Sequence, residues 1–255
     1  MKRLLVIGIG AGDPDYLTIQ AIKALNRVDV FFLMDKGPSK DSLIDLRREI
    51  CQRYITEPGY RFVEAQSPER VRGDADYQAS VLALNQDKQQ TFERLINEEM
   101  SDNECAAFLV WGDPGLYDST LRILQAILDG GRCTFEVEVI PGISSVQALA
   151  AQHQVALNRI GRSVEITTGR RLAAGQVSDA DSLVVMLDAE DGYQQFADQE
   201  QYIYWGAYLG TRDEILIAGK LKDVADEIQR TRKAARLAHG WIMDTYLIRK
   251  PDSTP

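Results

Sequence analysis

An alternation of apolar runs with helix-spaced stretches, punctuated by glycine and proline, constrains this chain more than any other feature. Arg3-Leu4-Leu5-Val6-Ile7 runs to Gly8, Thr18 to Arg27 has helical spacing behind a hydroxyl N-cap, Thr18, and Val28 to Met34 is apolar again. The cycle continues with helices over 41–54 and 76–100, strands over Arg61 to Ala65 and Ala106 to Trp111, a helix over Asp118 to Leu128, and a strand over Phe135 to Ile140. Near-continuous apolar strands separated by helices predict an α/β fold with a mostly parallel sheet covered on both faces. Beyond Gly142 the strands come closer together: Val164 to Thr168, Ser182 to Leu187, Tyr202 to Tyr208 and Ile215 to Ala218. A helix over Asp223 to Leu237 and a closing strand over Trp241 to Ile248 complete the chain, and the polar tail after Arg249 is expected to fray. Pro141-Gly142 breaks periodic structure, so the expected division is an N-terminal α/β domain over 1–141 and a C-terminal mixed-sheet α/β domain over 142–255. There is no internal repeat and no low-complexity segment.

Composition narrows the partners. At 255 residues, 45% hydrophobic and 26% charged, the chain can bury a substantial core and falls outside disordered and collagenous classes. A net charge of −9 argues against nucleic-acid or anionic-membrane partners, which are bound through clustered Lys and Arg. It leaves room for an anionic small molecule held by a local arginine cluster. No apolar run approaches the roughly 20 residues that span a bilayer. The basic, apolar start Met1-Lys2-Arg3-Leu4-Leu5-Val6-Ile7 reads as a first strand and not as a signal peptide, because Gly8, Gly10, Gly12 and Asp13 interrupt it. Cys51, Cys105 and Cys133 are widely spaced, which suggests neither zinc nor a disulfide framework, and the cytoplasm is the expected compartment.

Three turns at strand exits carry the chemical signal. The first is Gly8-x-Gly10-x-Gly12-Asp13-Pro14, in which glycines permit close backbone approach to a ligand or simply make a tight turn. A dinucleotide fingerprint wants a glycine where Asp13 stands, so an NAD site is disfavoured; Asp35 after the second strand keeps an NAD(P)-dependent oxidoreductase as an alternative. The second turn, Trp111-Gly112-Asp113-Pro114-Gly115-Leu116-Tyr117, fits either a ligand loop or a capped Pro-Gly turn. In the third, Pro141-Gly142-Ile143-Ser144-Ser145, the serines are either helix caps or hydroxyls facing a ligand.

In this order and spacing the three turns resemble those of the tetrapyrrole (corrin/porphyrin) methylases, which show G-x-G-P-G-D near the N-terminus, G-G-D-P after a central strand and P-G-I-[ST]-[SA] at the domain linker. The resemblance spans nearly the whole chain. Ala11 stands in place of the usual proline and Trp111 in place of the first glycine of the second motif. The segments Gly161-Arg162, Thr167 to Arg171, Tyr204 to Thr211 and His239 to Tyr246 look like one cobalamin-forming branch of that family, whose members methylate precorrin-5 at C1 with release of acetate. The resemblance implies a two-domain fold with S-adenosylmethionine bent in the cleft between the domains, S-adenosylhomocysteine as product, and a homodimer. It also implies that Ala11, Trp111, Gly112, Asp113, Leu116, Tyr117, Ser144 and Ser145 contact the cofactor, with Leu187 against adenine and Gly210 and His239 as backbone contacts. His239 reads equally as a plain core or surface histidine.

Methyl transfer from a sulfonium chiefly requires alignment of donor and acceptor, which agrees with a sequence that has no metal-ligand spacing and no nucleophile motif. Release of a two-carbon acid consumes water and asks for a base. Asp35, which matches a cleft aspartate of the family, is the candidate, with a solvated turn residue as the other reading. A polycarboxylate substrate calls for arginines, and Arg47, Arg159, Arg162, Arg170 and Arg171 are the candidates.

Overall fold

The computed structural model describes residues 1–35, 37, 41–68, 77–197 and 200–251. The expected helix start at Asp76 and the last four residues of the polar tail lie outside them. Two compact units are present, Met1–Ser144 and Ser145–Pro255. The first unit thus runs three residues past the expected boundary, because Gly142 is packed against the glycine turns of that unit.

The first unit runs β1 (Lys2–Gly8), α1 (Ile19–Leu25), β2 (Val30–Asp35), α2 (Asp41–Tyr54), β3 (Arg61–Gln66), α3 (Tyr77–Glu98), β4 (Cys105–Val110), α4 (Thr120–Asp129) and β5 (Phe135–Ile140). Among the described residues its five strands pair in the order β3-β2-β4-β1-β5, all parallel. The period-two alternation of side chains divides β1 between two cores. Leu4 and Val6 pack with Phe92, Leu95 and Ile96 of α3 and with Ile123, Leu124 and Ile127 of α4. Leu5 and Ile7 face the other way, onto Ala21, Ala24 and Leu25 of α1 and Ile50 and Cys51 of α2. Thr18 caps α1 as expected, its Oγ1 accepting the Ala21 N–H at 3.0 Å. Because the strands are parallel, every strand exit of this unit opens at one edge of the sheet.

The second unit runs α5 (Ser145–Gln152), β6 (Val164–Thr168), α6 (Gly169–Ala173), β7 (Ser182–Met186), β8 (Tyr202–Ala207), β9 (Ile215–Lys220), α7 (Leu221–His239) and β10 (Asp244–Arg249). Its sheet order is β6-β7-β10-β8-β9, with β6 and β7 parallel and the other pairs antiparallel, which is the expected mixed sheet. Two local expectations are corrected. The sequence showed no helix at Gly169–Ala173, since five residues are too few to display a helical period. The last strand begins at Asp244 and not Trp241, because Gly240 ends α7 at φ +74° and the Trp241 carbonyl is taken by the Tyr208 hydroxyl at 2.5 Å.

A buried ionic network ties α7 to the second sheet. Arg232, only 5% exposed, pairs with Asp244 at 2.8 Å and with Asp191, and its guanidinium donates to the Asp188 carbonyl. Asp244 also accepts the Trp205 indole N–H at 2.9 Å, while the Asp188 carboxylate accepts the Tyr246 hydroxyl at 2.7 Å. Burial pushes the Asp244 carboxyl above its usual range, and Arg232 opposes that shift.

Two stability predictions follow from this packing. A Cβ on Gly142 would lie 2.1 Å from the Gly112 carbonyl oxygen and 2.8 Å from Gly8 Cα, so Gly142→Ala is expected to cost about 1–3 kcal/mol in urea unfolding; an unchanged midpoint would mean that the turns part freely. Asp244→Ala leaves Arg232 short of a buried partner and is expected to cost about 3–5 kcal/mol by the same measurement, whereas a loss below about 1 kcal/mol would show that Asp191 alone satisfies the cation.

Candidate active site

Ligands of open α/β sheets bind outside the carboxyl ends of the strands, and there the three turns of the first unit meet. Gly10 and Gly112 form an antiparallel bridge: the Gly112 N–H donates to Gly10 O at 2.7 Å and the Gly10 N–H to Gly112 O at 3.3 Å. Both glycines are left-handed, at φ +81° and +68°, a conformation that other residues reach only with strain. The Asp113 carboxylate joins the second turn to the third. One oxygen accepts the Gly115 N–H at 2.8 Å and the other the Gly142 N–H at 2.9 Å. Ala11 is buried behind the first turn, and Ser144 is buried beside Gly112, whose absent Cβ would lie 3.5 Å from Ser144 Cα.

Asp13 fills the place where a dinucleotide fingerprint has its third glycine, and it has a local task. Its carboxylate accepts the Asp15 N–H at 2.8 Å and caps a short 3-10 turn over Pro14–Tyr16. The glycine loop therefore does not lead straight into the N-terminus of α1, the feature on which a pyrophosphate would rest, and the oxidoreductase reading loses its structural basis.

Residues expected to wall the ligand are exposed and held in uncommon backbone conformations. Tyr117 is 43% exposed at φ +52° and Leu187 is 63% exposed at φ +54°. Left-handed residues other than glycine cost of order 1 kcal/mol and cluster where function requires them. Leu116, next to Tyr117, is half-buried.

In the second unit the expected contacts gather at one edge of its sheet. Leu187 follows β7, and Gly210 follows β8 just after the left-handed Tyr208. The antiparallel register sets Thr245 opposite Met186 and Asp244 opposite Ala207, so both exits adjoin the start of β10. Ser145 is at that edge too, its Oγ accepting the Thr245 hydroxyl at 2.9 Å. The Gly210 N–H donates to Glu214 at 2.7 Å. His239 packs at a tilt against Tyr208, 4.9 Å between ring centres, and lies 3.9 Å from Asp213, so it is placed by packing at the end of α7.

The remaining candidates separate by what they touch. Asp35 ends β2 and accepts the Gly37 N–H at 2.7 Å, so one of its oxygens shapes the turn. Arg47 faces a cavity in the first unit and donates from Nε to Leu109 O at 3.0 Å and from Nη1 to Leu43 O at 2.6 Å. Arg159 pairs with Asp181 at 3.0 Å and donates to Lys250 O at 2.7 Å, which gives it the task of fastening the end of β10. Arg171 donates to Gln176 O at 3.2 Å, and Arg162 and Arg170 are exposed. Arg47 stands in the first unit and the other four arginines in the second. Sequence reasoning missed Lys88 and Asp118, which share the Arg47 cavity; they sit on a helix and a turn whose charges look solvated in a linear reading.

Among the described residues no group of three His, Cys, Asp or Glu is placed to hold a metal, and no helix is long and apolar enough to cross a membrane. The three cysteines are buried and unpaired.

Known proteins with the same chain organisation are similar in sequence and in shape. Residues 3–225 match the family described as Tetrapyrrole (Corrin/Porphyrin) Methylases. A Sinorhizobium protein named precorrin-6A synthase [deacetylating] is 48% identical over 250 residues, 98% of this chain and 96% of that protein. A crystal structure from Corynebacterium diphtheriae, designated a cobalamin synthesis related protein (CobF), superposes with a TM-score of 0.84 at 37% identity, covering 99% of this chain and 100% of that one. The fold is also that of a Thermus thermophilus uroporphyrin-III C-methyl transferase complexed with S-adenyl homocysteine, at a TM-score of 0.59, 18% identity and 97% coverage of each chain. With the three turns joined at the strand exits and a family match over most of its length, this chain belongs to the tetrapyrrole (corrin/porphyrin) methylases.

Proposed function

We propose that the chain is an S-adenosylmethionine-dependent C-methyltransferase of cobalamin biosynthesis that methylates precorrin-5 at C1 and releases acetate, giving precorrin-6A. The observation that carries this reading is the 48% identity to a deacetylating precorrin-6A synthase across nearly the whole of both chains. The local structure agrees with a bulky bound ligand: Gly10 and Gly112 bring bare backbone to the strand exits, and Tyr117 and Leu187 present exposed side chains from left-handed positions.

When bound, S-adenosylmethionine supplies an electrophilic methyl on a sulfonium sulfur. Gly112, Leu116, Tyr117 and Ser144 are assigned to hold its methionine end, with Ala11 and Trp111 shaping the wall behind. Asp113 acts on that end through the backbone, since both carboxylate oxygens are used to fix Gly115 and Gly142. Ser145, Leu187, Gly210 and His239 keep the cofactor roles that the resemblance assigns them. For the deacylation, hydroxide from water joins the acyl carbon to form the acid, the carbon–carbon bond pair stays on the macrocycle, and the water proton passes to Asp35. Asp35 is suited to this by its place at the exit of β2, where the Gly37 N–H fixes its orientation. Of the proposed substrate arginines, Arg47 alone stands in the first unit; Arg162, Arg170 and Arg171 are assigned to more peripheral substrate carboxylates. A cytoplasmic homodimer belongs to the same proposal.

Incubation with precorrin-5 and labelled cofactor is expected to yield a product gaining one methyl together with one equivalent of free acetate; a methylated product without acetate would assign the chain to another step. Asp113→Ala is expected to weaken S-adenosylhomocysteine binding at least tenfold in calorimetry, because two charge-assisted hydrogen bonds that shape the turns are lost. Wild-type affinity in that variant would move the cofactor site elsewhere.

A further inference from the structure

The first unit contains a cavity of about 120 Å³ at the exits of β2 and β4, beneath α2 and α3. Its floor is aromatic: Phe92 stacks on Phe108 at 4.2 Å between ring centres, and Phe32 adjoins Phe108 at 5.2 Å. Its charged lining residues are Arg47, Lys88 and Asp118. The Lys88 ammonium donates to Ser119 Oγ at 3.3 Å, and Asp118 accepts the Thr120 N–H at 2.7 Å. Among the described lining residues two cations face one carboxylate, a surplus of positive charge. A half-buried charge of that kind is costly unless a counter-ion arrives. Burial lowers both cations below their usual range, Arg47 to about 10, and Asp118 opposes the shift in each.

Trp111 is among the lining residues of the same cavity, while its indole Nε1 is fully buried with no hydrogen-bond partner among the described residues. Trp111 also stands where the family motif has glycine, immediately before Gly112 of the cofactor turn.

We infer that Arg47 and Lys88 form a subsite for one small carboxylate with a short apolar tail, seated against the Phe92 and Phe108 rings. The surplus of cations among the described lining residues fits a small anion, and the aromatic floor takes the carbon end. Resting on the function proposed above, the occupant is either the acetate released in the reaction or a carboxymethyl arm of the bound macrocycle; both present the same chemistry.

Titration of the whole protein with carbon-13-labelled acetate, followed by NMR, tests the subsite without turnover. Saturable binding near about 1 mM is expected, in line with the few atoms of the ligand, and chloride at equal ionic strength should not displace it. Lys88→Met should weaken acetate at least tenfold, with S-adenosylhomocysteine affinity and thermal midpoint kept as controls of the fold. Unsaturable binding, or wild-type affinity in Lys88→Met, overturns the subsite. Displacement of acetate by precorrin-5 assigns the cavity to a substrate arm, and simultaneous binding assigns it to the released acid. Acetate binding intact in a protein that releases no acetate on turnover would sink the functional reading and leave the carboxylate subsite standing; release without binding would do the reverse.

Discussion

The Asp113 carboxylate, placed between two backbone N–H groups, is the interaction on which the first unit's site depends. Gly115 and Gly142 belong to different strand exits, and each gives its N–H to one oxygen of this side chain. A carboxylate that accepts two amide donors can bind the turns far more tightly than either turn could bind itself. The contact requires close backbone approach, which is why Gly8 and Gly142 carry no side chain where a Cβ would strike peptide atoms. Glycine at these two places is a steric demand of the assembled turns, and only secondarily a matter of chain flexibility.

The same device recurs at other strand exits. Asp35 accepts the N–H of Gly37, Asp113 that of Gly115 and Asp188 that of Glu190, each two residues on. Aspartate favours this local bond because its short side chain reaches the backbone just ahead of it. In the second unit the device is anchored by burial: Asp188 also takes the Gly192 N–H and the Tyr246 hydroxyl, and Arg232 holds its carbonyl. The residue before it, Leu187, is thereby kept exposed in a left-handed conformation. Strain at Leu187 persists because a buried network beside it leaves the backbone no alternative.

Much of this was legible in the residues. Near-continuous apolar runs such as Phe31-Phe32-Leu33 and Ala106-Ala107-Phe108-Leu109-Val110 can be satisfied only by a sheet covered on both faces, and that is where they lie. Thr18 announced α1, and Pro141-Gly142 announced the change of architecture. The charged residues were less readable. Arg159 looked like the other candidate arginines, yet it pairs with Asp181 and with a carbonyl 91 residues away in sequence. Lys88 looked like one more solvated helix charge, yet it faces a cavity with Arg47 and Asp118, because the face on which a helical lysine falls depends on what packs above it.

The sequence by itself determined the class of fold, the three turns and the family, since apolar periodicity and glycine-aspartate-proline order are local properties that survive without coordinates. Only the tertiary structure decided which charges are spent on holding the chain together and which face an open volume. Pairings between residues as distant as Asp29 and Cys105, Asp113 and Gly142, or Arg232 and Asp188 depend on strand order, and strand order is fixed by the packing of the two cores and not by any single segment.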